Sequence, residues 1–436
     1  MSELREESKS RTGVELFAGA GGLAMAVHSA GFRPLLFNEF AKRACQTLQA
    51  NGAKPRGDSE AIPEPGEPWP LVEGDVQDLD MRYLHGKVDV LAGGPPCQPF
   101  SLGGVAKGDE DKRNMFPQMF KAMRQIQPKA VICENVKGLT RPSFKPYLDY
   151  ILREMEMPFE LRDPDATWQE HDAYLRVARE KPASDPSTRY EVVMTRVNAA
   201  DYGVPQIRHR IIIVAFRADL GVDIERFKND VLPTHHEHAL INSMIDNSYW
   251  GRHPTVPSDV RDQVMAGLPK EKLEVDPKFQ PWRTFRDAIA GIDENEGKSL
   301  PKIPWDRLDR KEYRAGGVTD HIGWPGARIY KGHTPNALDR PAKTVKAGVH
   351  GVPGGESVML TDERYRDPQS PTGWTYKHRY MTVRETARVM TFPDSWKLEG
   401  PRGEKMRQLG NAVPVKLGAV FANAVAAALD RAEGGS

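Results

Sequence analysis

Cysteine is nearly absent from this chain, with three residues in 436, Cys45, Cys97 and Cys133. Three thiols cannot form a disulfide framework, and none has zinc-type spacing with another, which fits a reducing compartment. No charge dominates either: 61 Lys and Arg stand against 60 Asp and Glu, a net charge of +1. Such a balance excludes neither a nucleic-acid partner nor a small substrate, and only a local basic patch is informative. No uninterrupted apolar run long enough to cross a bilayer is evident, and the opening MSELREESKSR is charged without an apolar core. Neither a membrane span nor a secretory signal is expected, and the cytoplasm is the expected location.

What the chain does have is an apolar run, residues 88–92, that reads as a buried strand of a parallel sheet. Ligands bind where such strands end. Gly93-Gly94-Pro95-Pro96 stops the strand and stiffens the chain, so Cys97 sits on a short rigid turn at the sheet's carboxyl edge. A thiol there reads as a nucleophile. The alternative, a small buried cysteine, is outweighed by the Pro-Pro clamp and by what lies downstream.

Other strands surround it. Residues 12–18 run into Gly19-Ala20-Gly21-Gly22 and a helix carrying Leu23, Ala26, Val27 and Ala30. A second strand, 35–37, ends at Asn38-Glu39-Phe40, and a helix follows over 41–51. Residues 52–70 read as a surface insertion; Gly74-Asp75-Val76 comes next, and 129–134 form a further buried strand closed by Asn135 and Val136. Residues 158–186 are a second insertion, with Trp168, His171 and Tyr174 on a helix. Strands 190–197 and 210–216 then read as an antiparallel hairpin closing a mostly parallel sheet. The length implies two domains.

After Arg217 the alternation of strand and helix dissolves, and tryptophans 250, 282, 305, 324 and 374 are spread through irregular sequence. This reads as a smaller, loop-rich domain over 217–403, against a larger one over 11–216 plus 404–436. Between Arg328 and His350 five basic residues (Arg328, Lys331, Arg340, Lys343, Lys346) face one acid, Asp339, and the interleaved glycines suit a backbone that approaches phosphates. Pro414 opens a last helix whose stripe Leu417, Val420, Phe421, Val425 and Leu429 should pack on the sheet.

The Gly19 loop is not a phosphate loop, because no Lys-Ser/Thr follows and its spacing is not G-x-G-x-x-G. Glu39, at the tip of the second strand, lies where an acid grips ribose hydroxyls, and Asp75 stands where a carboxylate accepts from an adenine amine. The three together describe a site for an adenosine cofactor without a pyrophosphate. Cys97 with Glu134, a carboxyl that can carry a proton, is a pair for adding a nucleophile across an electron-poor double bond. Alternation sets Arg208 and Arg210 on one face, where they can anchor a carbonyl oxygen and hold Glu134. His235, His236 and His238 lack a fourth ligand, so no metal is expected. Cys45 and Cys133 read as core residues.

VELFAGAGGL, NEF, GDV, GGPPCQPFS, ENVKGL, DYGVPQIRHR, RYMTVRETARVMTFPD and QLGNAVP occur in this order over residues 14–414, and so the chain resembles the DNA (cytosine-5) methyltransferase family. The resemblance implies an α/β fold: a Rossmann-like S-adenosylmethionine-dependent methyltransferase sheet with a smaller, loop-rich target recognition domain. It implies that Cys97 adds to C6 of a flipped cytosine, that Glu134 contacts N3 and the exocyclic amine, and that Arg210 contacts O2, with Arg208 nearby. Phe17, Ala18, Gly19, Gly21, Gly22, Leu23, Glu39, Phe40, Asp75, Val76, Pro95, Met115, Asn411, Ala412 and Val413 would hold the cofactor. Gln98, Ser101 and Gln206 would meet the DNA, as would Thr344, whose surroundings resemble the family's Thr-containing recognition element. Gly103, Gly104 and Gly108 make the stretch after Cys97 a mobile lid. Glu15 stands where the family more often has Asp, and Asn114-Met115 replaces a more usual Gly-x-Leu. Duplex DNA is the expected partner of a monomeric enzyme beside the nucleoid, in the company of a restriction endonuclease.

Three rivals are weighed. The same chemistry on RNA goes with a shorter recognition region than the about 160 residues after Arg217. A silent DNA-binding relative would lack Cys97 or Glu134. A dinucleotide oxidoreductase needs a pyrophosphate glycine pattern that is missing.

Overall fold

Short apolar strands bounded by glycine and proline, alternating with amphipathic helices, build one sheet from the first half of the chain. The computed structural model describes residues 11–56, 60–96, 114–290, 299–347, 356–370 and 373–434. It divides into two units: one runs to Val197 and adds His209–Leu232 and the chain from Gly418, and the other holds Asn198–Arg208 and Pro233–Leu417.

In the first unit β1 (Arg11–Leu16), α1 (Gly22–Ser29), β2 (Phe32–Glu39), α2 (Lys42–Ala50), β3 (Lys54–Pro55) and β4 (Pro70–Glu73) are followed by β5 (Val90–Gly93), α3 (Phe116–Ile126) and β6 (Ala130–Val136). Then come α4 (Lys145–Glu156), α5 (Trp168–Arg179), β7 (Tyr190–Asn198) and β8 (His209–Arg217). The sheet order is β3-β4-β2-β1-β5-β6-β8-β7. β1 pairs in parallel with both β2 and β5, and β8 is antiparallel to β6. The central strands are buried on both faces, which is why they read as continuous apolar runs rather than as alternation.

α3 shows how sequence becomes packing. Pro117 sits in its first turn, where a missing N–H costs nothing, and Phe116, Met119, Phe120, Met123 and Ile126 fall on one buried face. The last helix, Val415–Gly434, buries the stripe Leu417, Phe421, Val425 and Leu429. Arg11 grips its end through Asp430 at 2.6 Å, and Lys129 through Glu433 at 2.6 Å. By length and composition Arg402–Gly434 meets the test for a membrane span, which the sequence reading did not foresee, but 67% of its most apolar window is buried within the protein.

Both insertions are stitched in. Lys54–Pro55 adds an edge strand to β4, and the Arg33 guanidinium donates to the carbonyl of Pro63. The second insertion is more than surface decoration. Thr167 and Glu170 form a capping box that starts α5, whose Leu175 is fully buried. Its Asp172 pairs with Arg153 of α4 at 2.6 Å, and Tyr150 Oη lies 3.0 Å from Nδ1 of His171. The helix expected in 158–186 is present, and what its polar composition hid is that it completes the core with few apolar residues.

The second unit is held by buried ion pairs more than by a sheet. Arg286 donates to Asp339 at 2.6 Å and to Asp362 at 2.7 Å, and Arg379 pairs with Glu385 at 2.6 Å. Its largest ladder is the antiparallel hairpin Val358–Arg366 with Trp374–Tyr380. Trp250 and Trp282 are buried, and Arg364 and Arg366 both lie over the ring of Trp374. Among the described residues no group of His, Cys, Asp and Glu is placed to hold a metal.

Replacing Leu175 with Ala is expected to destabilise the protein by about 2–5 kcal/mol, the usual cost of an emptied core site. Urea unfolding measures it, and an unchanged midpoint would show that α5 is not part of the core.

Candidate active site

β1 is the switch point of the sheet: β2 follows on one side, and β5 lies on the other. Ligands bind in the crevice outside such a point. The chain leaving β1 turns through three left-handed residues within five, Phe17 (φ 58°), Gly19 (φ 56°) and Gly21 (φ 87°). Glycine takes this conformation freely, whereas Phe17 is strained there, as residues at ligand sites often are. Gly21 caps α1; Ala18, Gly22 and Leu23 are buried behind it.

Glu39, the last residue of β2, accepts from Gly19 N at 2.7 Å and from Ala41 N at 2.6 Å. Beside it Asn38 donates to the carbonyls of Val72 and Gly74, both at 3.1 Å. That ties β2 to the turn where Asp75 accepts from Gln77 N at 2.9 Å and Val76 is buried. Phe40, next to Glu39, is 74% exposed. Thus Phe17 to Leu23, Glu39, Phe40, Asp75 and Val76 do share one edge of the sheet, linked by main-chain and side-chain hydrogen bonds.

Burial pushes the Glu39 carboxyl above its ordinary range, against the pull of backbone donors. Glu15, on β1, is buried completely, and desolvation drives its carboxyl well above the usual value of 4.5, with the charge of Glu39 adding to the shift. One of its oxygens has no hydrogen-bond partner.

At the end of β5, Gly93 cannot carry a side chain, because a β carbon would lie 2.9 Å from the carbonyl oxygen of Leu16. Oε2 of Glu134 lies 3.6 Å from where a β carbon on Gly94 would be. Glu134 Oε1 and Arg210 Nε are 2.8 Å apart, with only 9% and 12% of their side chains exposed. The contact is an ion pair without hydrogen-bond alignment, so both atoms are buried with donor and acceptor capacity unfilled. Pro95 is buried too, and its carbonyl accepts from Asn135 Nδ2 at 3.2 Å. Asn135 was not among the expected site residues; its place between Glu134 and Val136 in the ENV triplet was the available signal. Met115, partly buried, precedes α3 and packs on the core. Cys97, Gln98, Ser101 and the glycines at 103, 104 and 108 lie outside the described residues.

Six expected site residues belong to the second unit. Arg208 stands just before β8, which begins at His209. Its guanidinium, 1% exposed, donates to the carbonyls of Val345 at 2.8 Å, Gly410 at 2.9 Å and Ala412 at 3.0 Å. The expectation that it anchors a substrate carbonyl is corrected accordingly, since these three protein carbonyls occupy it. Gln206, expected at the DNA, is fully buried; its Oε1 accepts from Val345 N at 3.0 Å and its amide nitrogen faces Met390 Sδ. Thr344 Oγ1 donates to the Ile207 carbonyl at 2.8 Å. Asn411 is exposed, whereas Ala412 and Val413 are buried.

The residues at the β1 and β2 tips fit S-adenosylmethionine. A β carbon on Gly19 would meet nothing closer than the Phe17 carbonyl oxygen at 3.9 Å, Glu39 retains lone pairs for ribose hydroxyls, and the solvent-exposed ring of Phe40 is available to a purine.

The fold itself defines a class. Among solved structures, a triple mutant of DNMT2 from Spodoptera frugiperda matches over 95% of this chain and 99% of its own at TM-score 0.52 and 16% identity. Dnmt2 from S. pombe matches at TM-score 0.50 and 14% identity, over 94% of this chain and 96% of its own. The large sheet is that of the Rossmann-like methyltransferases. The family follows from the sequence: the profile of the C-5 cytosine-specific DNA methylases matches residues 12–157 and 186–427. Type II methyltransferase M.Eco47II of Escherichia coli is 31% identical over 96% of this chain and 80% of its own length. M.PspPI of Psychrobacter sp. is 30% identical over 98% and 82% respectively. The chain belongs to the C-5 cytosine-specific DNA methylase family, and is an enzyme that uses S-adenosylmethionine to methylate cytosine in DNA.

Glu15 carries a pH prediction. With its folded carboxyl titrating above the ordinary 4.5, the stability it contributes is complete below that value and is lost as pH rises toward the folded value. Glu15→Gln cannot ionise, so the native protein should lose stability relative to this variant as pH rises above the ordinary carboxyl value of 4.5. Urea unfolding along that rise measures the difference, and parallel curves would contradict the assignment.

Proposed function

We propose that this enzyme methylates C5 of a cytosine extruded from a specific short duplex DNA sequence, through a transient bond between Cys97 Sγ and C6. The observation that supports it most is the buried Glu134–Arg210 pair beside the turn that leads to Cys97, with hydrogen-bonding atoms unfilled on both partners. A buried donor and acceptor left short of partners are costly unless something completes them. The N3, exocyclic amine and O2 edge of a cytosine does so.

In this reading the Cys97 thiolate forms a bond to C6, and the π pair of C5=C6 moves toward C4 and N3, where the Glu134 carboxyl supplies a proton. Arg210 donates to O2 and keeps Glu134 in place. C5 is left electron-rich. S-adenosylmethionine, when bound, supplies the methyl group. A base, water included, then removes the C5 proton, the pair re-forms C5=C6 as the C6–S bond breaks to release the thiolate, and N3 returns its proton to Glu134. Extrusion is required because C6 is covered on both faces within a stack. Asn135, by holding the Pro95 carbonyl, positions the turn before Cys97.

Phe17 to Leu23, Glu39, Phe40, Asp75, Val76, Pro95 and Met115 are assigned to the cofactor, as are Asn411, Ala412 and Val413 by resemblance. Gln98, Ser101 and Thr344 are assigned to DNA, and Gln206 and Arg208 are read as positioning the segments that carry Thr344 and Asn411. The protein acts as a cytoplasmic monomer paired with a restriction endonuclease of the same recognition sequence, in keeping with its type II relatives.

Bisulfite sequencing of DNA from cells expressing the protein should reveal methylated cytosines in one short word. Cys97→Ser should abolish them while purified protein still binds that duplex, and an active serine variant would rule out the covalent route. Arg210→Ala should lower methyl transfer by roughly 10²–10³-fold, as loss of a preorganised donor does, with cofactor affinity unchanged. A purely structural Arg210 would instead lower cofactor affinity and turnover together.

A further inference from the structure

The wall of the cofactor site that carries Asp75 is not a strand. β4 ends at Glu73, and a single 3-10 turn over Val76–Asp78 takes the chain onward. So short a turn has poor hydrogen-bond geometry of its own, and outside contacts decide where its side chains lie. Asn38 holds the near side through the carbonyls of Val72 and Gly74. The far side belongs to α3.

Lys121 and Gln125, four residues apart, fall together at the border of the buried face of α3. Lys121 Nζ donates to the Gln77 carbonyl at 2.8 Å. One helical turn further on, Gln125 Oε1 accepts from Met81 N at 3.2 Å, and its amide nitrogen donates to Asp80 Oδ1 at 3.4 Å. At the end of the helix the Ile126 carbonyl accepts from Gly86 N at 2.9 Å. Residues 77–86 thus run alongside α3 from its middle to its last turn, and Val76, Met81 and Leu84 enter the same apolar cluster as Phe120 and Met123.

Apolar burial keeps this segment against the helix but is non-directional, so it does not fix how far one slides along the other. Hydrogen bonds do. Gln77 joins two of them: its N–H donates to Asp75 Oδ1 at 2.9 Å, and its carbonyl accepts from Lys121. α3 is itself anchored at its start, where the buried Asn114 donates to Tyr147 Oη and accepts from Phe116 N at 3.3 Å. One helix therefore follows directly on Met115 and grips the Asp75 turn from its middle.

We propose that Lys121, supported by Gln125, is a positioning residue for the cofactor: it fixes Gln77, and through Gln77 the Asp75 carboxylate, where that carboxylate selects a purine bearing an amine. The inference rests on the assignment of Asp75 to the adenine amine and names the groups that aim it.

Titration calorimetry on the full chain compares S-adenosylhomocysteine with its hypoxanthine counterpart, in which a ring carbonyl replaces the amine. The native protein should prefer the adenine form, and Asp75→Ala should lose that preference. Lys121→Met keeps the aliphatic stem and removes the ammonium. It should weaken S-adenosylhomocysteine binding by roughly three- to tenfold, the range for one lost hydrogen bond, and leave the hypoxanthine form bound no more weakly, so that the preference narrows. Lys121→Arg should restore most of it. In methyl transfer the loss should fall on KM for the cofactor rather than on kcat. Without any ligand, Lys121→Met should speed amide hydrogen exchange over residues 75–81 and not within α3. If the native protein prefers the adenine form and Lys121→Met keeps both that preference and the native exchange, the inference fails alone. Equal weakening of both ligands with a lowered unfolding temperature would make Lys121 a contact of the fold only, and overturns it too. A native protein without the preference, or an Asp75→Ala variant that retains it, overturns the assignment of Asp75 and the inference with it.

Discussion

The structure turns on the reversal of one strand. β8 runs antiparallel to β6 in a register that sets Arg210 opposite Val136, and Glu134, two residues earlier, falls on the same face within diagonal reach. A slip of one residue would send the guanidinium to the other side of the sheet. Because the register holds, two ionisable groups meet in a buried position at 2.8 Å, next to the glycine that begins the turn toward Cys97. A parallel strand in that place would enter the sheet from the opposite end and could not bring an arginine at its start to this edge.

Much of this was legible in the chain itself. The strands that end at Leu16, Glu39 and Gly93 announce themselves because both faces of a parallel sheet are buried, so each holds an apolar run with a visible stop. The hairpin that closes the sheet was legible from two such runs close in sequence. Less legible was whatever depends on where a strand starts. Arg208 and Arg210 look equivalent by alternation, yet the first precedes β8 and is buried among carbonyls of Val345, Gly410 and Ala412. Gln206 fails as a DNA contact for a related reason: a polar side chain in a motif reads as reactive, but both ends of its amide serve the protein's own segments. The helix at Trp168–Arg179 was visible, while its burial was not, because its contacts to α4 are polar ones, Asp172 to Arg153 and His171 to Tyr150.

In the second unit, composition alone misleads. Arg286 reaches acids 53 and 76 residues away, and no local pattern distinguishes such a core charge from a solvated one. The same holds for the basic run after Arg328, three of whose five cations, Arg340, Lys343 and Lys346, are engaged within the unit. Gly410 shows how tightly segments far apart in sequence are joined there, since a β carbon on it would lie 2.4 Å from the carbonyl carbon of Lys346. Arg208 fastens that contact by donating to residues on both sides of it. Its observed part is to set where two loops lie.

In the mechanism we propose, all of this serves one event, the passing attachment of Cys97 to a pyrimidine carbon. Its most direct test is to incubate the native protein and S-adenosylmethionine with duplex DNA bearing 5-fluorocytosine at the methylated position, then to digest the product and locate any peptide–DNA bond by mass spectrometry. Fluorine cannot leave C5 as a cation, so the account predicts a stable adduct on the peptide that contains Cys97, carrying the transferred methyl group. Methylation of ordinary DNA by the same preparation, with no adduct on the fluorinated duplex or with an adduct on any other residue, would contradict it.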